Sequence, residues 1–258
     1  MMDILLPAFL VSLVLLGIHS YFGLRIIERN IIFTDLAIGQ MAAFGAALSL
    51  LLLDGGRMYL ISLAFALFTG LLIALASRRS GHPEAMIGLL YAMGLSGVFI
   101  VLSRSPHGTE EFQRLMAYDI IFTPLRDIWP VALLYTGLGG VIYLSNRLLR
   151  GLASELVFFI TFALTVTSSV KLAGVLVVFS ILLAPAFISM RIADMSGHES
   201  FPARHRLLTA WITGTVINMA AIFLSFRMDL PTGYSLVFGN SMAALVAGFA
   251  GKNKKQNS

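Results

Sequence analysis

Three groups of side chains in this 258-residue chain have the types and spacing to do chemistry. The first is Phe33-Thr34-Asp35-Leu36-Ala37-Ile38-Gly39-Gln40, where a carboxylate and an amide stand at the start of a long apolar run. A charge at the centre of a membrane span costs about 2.5–3.5 kcal/mol, so Asp35 needs a reason to be there. Two readings stand side by side. Thr34 or Asp35 caps a helix beginning at Leu36 by accepting its free N–H groups, or Asp35 lines a polar route through the protein. Gln40 sits a turn too deep to cap, and either bonds across helices or lines the same route. Five residues turn a helix through about 500°, so Asp35 and Gln40 do not share one face closely.

The second group is Ser105-Pro106-His107-Gly108-Thr109-Glu110-Glu111-Phe112. Imidazole and carboxylate within five residues can ligate a divalent cation such as zinc, manganese or iron. The plainer reading is a solvated loop with a helix starting at Thr-Glu-Glu. The third group runs from Lys171 to Ala186 and contains Pro185, which removes a backbone hydrogen bond and predicts a kink or a helix end there. Transporters place such broken helices along their substrate paths. Other chemistries are excluded. There is no Cys, so thiolate sites and disulfides are absent, and no HExxH pattern supports a zinc protease. His19, the one histidine within an apolar span, reads as a satisfied packing residue, and the 12 Met residues are scattered as packing residues are.

The elements that must position these groups are membrane helices. The chain is 58% apolar and 12% charged, with a mean hydropathy of +0.88. Soluble domains carry about 25% charge, so a soluble enzyme, a nucleic-acid-binding domain and a disordered chain are excluded. About 20 apolar residues cross a hydrocarbon core about 30 Å thick. Spans are predicted at 4–24, 36–53, 58–76, 86–103, 129–146, 155–170, 172–190, 207–226 and 233–250. The fold class is therefore an all-α polytopic bundle of about nine transmembrane helices in one domain covering 1–258, with eight as the alternative. The segments 155–170 and 172–190 are the least regular pair; sixteen residues span only about 24 Å. With the N-terminus outside, twelve of the 18 Lys and Arg residues fall on inner segments and six on outer ones. That asymmetry predicts N-out and C-in. Merging 155–190 into one element puts Arg191–Arg206 and Lys252–Lys255 on the wrong side. Glycines within spans, among them Gly39, Gly45, Gly88, Gly94, Gly97, Gly137, Gly139 and Gly140, predict close helix packing.

In this order the segments resemble the ABC-3 family of metal-transporting permeases, the membrane subunits of zinc, manganese and iron importers. The resemblance covers most of the chain, from Leu5 to about Ala250. It is carried by Gly17-Ile18-His19-Ser20-Tyr21-Phe22-Gly23, by the stretch Phe33–Gly45, by Glu84–Ala92, and above all by Val170–Val177 with Leu182-Leu183-Ala184-Pro185-Ala186. That last pair is similar to the family's VKxxGxLLV…LLxxPA signature. The resemblance implies a homodimeric pore in the bacterial inner membrane, fed by an extracytoplasmic solute-binding protein and driven by a cytoplasmic ATPase. The chain would then carry no catalytic residue and no intrinsic cofactor, bind ATP only through its partner, and bind no nucleic acid.

Many relatives hold the ion with an Asp and a His at the start of the second helix. Here Gln40 stands at the His position and Asp35 sits one residue early, the Asp…Gln version of a subgroup, so the resemblance implies Asp35 and Gln40 as pathway and metal residues. An amide is a poorer transition-metal ligand than imidazole. By the same resemblance His107, Glu110 and Glu111 form an outer vestibule, and Gly174 and Pro185 shape a gating helix. A second departure is a missing cytoplasmic segment: Arg147-Leu148-Leu149-Arg150-Gly151-Leu152-Ala153-Ser154-Glu155 runs straight into the next span. ATPase coupling would then fall to Arg150, Gly151, Glu155, Arg191 and His198, the last two belonging to the longest inner loop. The competing reading is a diverged scaffold or assembly subunit that keeps the permease fold without coupled transport.

Overall fold

The computed structural model describes residues 2–79, 82–104, 110, 120, 123–195 and 202–250. Among them nine helices are long and apolar enough to cross a membrane. They are α1 (Met2–Glu28), α2 (Thr34–Leu53), α3 (Met58–Arg79), α4 (Pro83–Leu102), α5 (Leu125–Leu148), α6 (Leu152–Ala173), α7 (Val175–Met195), α8 (Ala203–Arg227) and α9 (Thr232–Ala250). No strand occurs among the described residues. In hydrocarbon every backbone N–H and C=O needs a partner, and a helix supplies them from within one segment.

The bundle has two groups of helices joined through α6. In the first, α2 packs against α3 and α4, and α3 against α6. In the second, α1, α7, α8 and α9 pack on one another. α5 lies at the edge, touching α6 and α1. Phe22 of α1 is fully buried against Phe158 and Phe162 of α6, with ring centroids 5.5 and 4.8 Å away. Lipid supplies no hydrophobic drive between helices, so van der Waals contact and small residues set these interfaces.

Gly23 shows the closest approach. A Cβ there would collide with the carbonyl oxygen of Leu182, so α1 and α7 meet backbone to backbone. Gly39, Gly45, Gly94 and Gly97 likewise face neighbours at contact distance. Gly88, Gly137, Gly139 and Gly140 do not: a Cβ on each would meet open space. Glycine content in the spans therefore signals packing on α2 and the face of α4 beside it, but not on α5.

The expected irregular pair resolves into two full spans. α6 has 22 residues, about 33 Å, enough to cross the membrane without thinning it. Its first turn places Glu155 3.2 Å from Arg29, at the C-terminal end of α1. At the other end of the pair, Ser189 of α7 donates to the Arg206 carbonyl at 2.5 Å, and the Arg206 guanidinium reaches Glu28 at 3.5 Å. The start of α6 and the end of α7 thus lie at the same end of α1, and the chain crosses twice. The reversal occurs at one residue, Gly174, with φ +82° and ψ 162°. That backbone region is nearly closed to any residue with a Cβ.

Of the two outcomes expected at Pro185, a kink or a helix end, the helix end does not occur. α7 runs unbroken through it to Met195, and the interruption falls at Gly174 instead. Pro185 is buried, and its Cγ lies 2.9 Å from where a Cβ on Gly214 of α8 would sit. The ring fills the notch left by that glycine, so packing from α8 supports the helix where a hydrogen bond is lost.

Candidate ion pathway

Asp35 and Gln40 both face the protein interior, 1% and 2% exposed. The capping reading of this segment does not hold. α2 begins at Thr34, no side chain caps it, and the Thr34 hydroxyl donates backwards to the Ile31 carbonyl at 2.7 Å. Neither carboxylate oxygen of Asp35 has a hydrogen-bond partner among the described residues. The positive end of the α2 dipole lies beside Asp35 and favours negative charge there, by about 0.3–1 kcal/mol in ordinary settings. That is small against the several kcal/mol of removing a carboxylate from water.

The two residues occupy different interfaces of α2, as their spacing requires. Asp35 lies one turn before Gly39 on the same side of the helix, and Gly39 faces Val175 and Val166 beside the α6–α7 corner. Gln40 faces α4, where a Cβ on Gly94 would come within 3.0 Å of the Gln40 Cβ. The small Gly94 lets α4 approach the deeper polar residue. Among the described residues no three His, Asp or Glu side chains gather into a ligand set.

A second polar site is one the sequence reading passed over. His19 of α1 is fully buried; its Nδ1 donates to the Leu15 carbonyl at 2.8 Å, and Nε2 lies 3.1 Å from the Ser169 hydroxyl. A carbonyl only accepts, so Nδ1 carries the proton and Nε2 is an acceptor in the neutral ring; the single Ser169 hydroxyl proton lies between Nε2 and the Thr165 carbonyl, 2.6 Å away. Ser169 in turn lies 2.5 Å from the Tyr135 hydroxyl of α5, and Ser168 donates to that hydroxyl at 3.2 Å. The packing role expected for His19 is met, but within a network that ties α1, α5 and α6. The signal available in sequence was the run Thr165-Val166-Thr167-Ser168-Ser169. Most of its hydroxyls satisfy themselves on the carbonyl one turn back, as Thr165 does on Thr161 and Thr167 on Ala163. Another pair missed in sequence is Asn240 donating to Asn218 at 2.8 Å, which joins α9 to α8.

The remaining sequence candidates are dispersed. Glu110 is exposed, and His107, Glu111 and His198 lie outside the described residues. Arg150 and Gly151 are exposed in the connector between α5 and α6, which is only Leu149-Arg150-Gly151. No further helix fits there. Glu155 pairs with Arg29, whose guanidinium also lies 4.3 Å from the centroid of the Phe158 ring. Arg191 donates to the Gly248 carbonyl at 3.1 Å, fastening α7 to the end of α9.

This architecture is found in two solved structures. "PsaBC from Streptococcus pneumoniae in complex with Fab" matches with a TM-score of 0.74 and 15% identity, covering 96% of this chain and 92% of that one. An inward-facing conformation of a metal-chelate type ABC transporter matches with a TM-score of 0.66 and 18% identity, covering 95% and 85%. No curated protein sequence matches the chain. At 15% and 18% identity these likenesses establish a shared fold. Residues 145–251 match the model of the ABC 3 transport family. With nine membrane-length helices among its described residues, the chain is a multi-pass membrane protein.

Proposed function

We propose that the chain is the membrane-spanning subunit of an ATP-driven importer for a divalent transition metal. Two copies would form the pore and alternate access, with N-termini outside and C-termini inside. A separate ATPase would hydrolyse ATP, and an extracytoplasmic binding protein would deliver the ion. The observation that carries this reading is the Asp35 carboxylate, buried in a membrane helix with no hydrogen-bond partner. A passing cation supplies the missing countercharge for as long as it stays. A sparse site suits a carrier, because the ion must leave as readily as it enters. Replacing Asp35 and Gln40 with Ala should lower metal accumulation in cells while leaving the amount of protein in the membrane unchanged. Undiminished accumulation would remove both residues from the path.

One observation favours a second reading, a scaffold without coupled transport: the three-residue connector between α5 and α6 offers an ATPase no docking helix. Affinity purification of the full chain separates the two. A working permease brings down an ATPase subunit in stoichiometric amount, and a scaffold does not.

A further inference from the structure

A cavity of about 600 Å³ runs along the outside of the bundle between α1, α5 and α8. Its α5 wall recurs at Ala132, Tyr135, Gly139, Ile142, Tyr143 and Asn146, one continuous face. From Ala132 to Asn146 that face is about 21 Å long, more than the roughly 15 Å depth of a single leaflet. Gly17 and Gly139 open it, since a Cβ on either meets nothing within 4 Å. Two polar groups of its walls are already engaged across helices. Trp211 Nε1 donates to the Gly17 carbonyl at 3.0 Å, and Asn146 donates to the Tyr21 hydroxyl at 2.9 Å. The groove therefore presents mainly ring faces and aliphatic surface to whatever occupies it.

One end of the groove is cationic. Arg25 lies over the Tyr21 ring at 5.6 Å and Arg147 over the Tyr143 ring at 4.8 Å, so a guanidinium rests on a tyrosine of each wall. Arg206 immediately precedes Leu207, a further lining residue. Arg25 and Arg206 share the single carboxylate of Glu28, and Arg147 has no ion pair among the described residues. The rim thus carries three positive charges against one negative.

We propose that this groove is a binding site for an anionic phospholipid, its acyl chain between α1 and α5 and its phosphate at Arg25 and Arg147. The rim charge decides between this occupant and a second copy of the chain. A two-fold axis along the membrane normal would bring the same arginines of the partner to the same depth, setting like charges face to face. A phosphate instead supplies an acceptor for Arg147 and offsets the excess positive charge of the rim. The site is independent of the metal reading and stands whatever ion is carried.

The chain has two tryptophans, and Trp129 is exposed outside the groove, so Trp129→Phe leaves Trp211 as a reporter on the groove wall. The full-length variant is reconstituted in phosphatidylcholine vesicles containing a few per cent of phosphatidylglycerol with brominated chains. Saturable quenching of Trp211 is expected at low phosphatidylglycerol content, weakened about five-fold by each of Arg25→Gln and Arg147→Gln. Gly139→Leu, which fills the groove, should abolish the saturable component. Brominated phosphatidylcholine quenching as strongly at the same content would overturn the proposal. So would quenching unchanged in the arginine variants, or a Trp211 shielded from both lipids as contact with a second copy would shield it.

Discussion

The Nε2 of His19 and the hydroxyl of Ser169 lie 3.1 Å apart although 150 residues separate them in sequence. Both are buried, and Tyr135 reaches the same hydroxyl from a third helix. Removing one partner of a buried hydrogen bond costs more than the bond itself contributes, because the other is left unsatisfied. Ser169→Ala should therefore lower stability by about 1–3 kcal/mol. Tyr135→Phe should cost less when Ser169 is already gone. Thermal unfolding of the purified protein in detergent, run as a double-mutant cycle, measures that coupling.

Two glycine substitutions of identical chemistry should have opposite outcomes. Gly23→Ala drives a methyl group into the Leu182 carbonyl, and overpacking of this kind costs about 1–3 kcal/mol. Gly137→Ala adds its methyl to open space and improves helix propensity by up to about 1 kcal/mol. Midpoints of thermal unfolding for the pair should fall on either side of the parent protein.

Gly174→Ala should be poorly tolerated although it adds one carbon. With φ +82° and ψ 162° the residue occupies a region that costs any other amino acid about 1–3 kcal/mol. Reduced yield of folded protein, seen as a smaller monodisperse peak on size-exclusion chromatography, is the expected result.

The absence of cysteine makes the proposed orientation directly measurable. Arg104 and Arg150 are both exposed and lie at opposite ends of the bundle. A single Cys at 104 should react with a membrane-impermeant maleimide on intact cells. One at 150 should react only after the membrane is opened. The reverse pattern would invert the N-out, C-in arrangement.

Much of the bundle was legible because its signal is additive: each span needs only enough consecutive apolar residues, and the nine ranges agree with the helices to within a few positions. The pair at 155–190 was readable as two crossings only through charge, since hydropathy alone does not mark a reversal made at one glycine. Pro185 does not end its helix, for a reason of packing. Its cost is local, whereas Gly214 on another helix supplies the accommodating notch. At Asp35 the sequence left capping and pathway open, because a first-turn carboxylate serves either. Only the direction of the Thr34 hydroxyl and the burial of Asp35 removed the cap. The His19–Ser169–Tyr135 network escaped because three helices meet there and no spacing within one segment records it.

Leu149-Arg150-Gly151 is the entire link from α5 to α6. A connector that short leaves nothing at that corner for a motor to lever against. On the proposed reading, force from an ATPase at that end would be taken up by the helix ends themselves, which Glu28, Arg29, Glu155 and Arg206 clasp together. A push on one rod there is passed sideways to α1, α6 and α8 as a unit, so the bundle would respond by tilting as a block before it could bend.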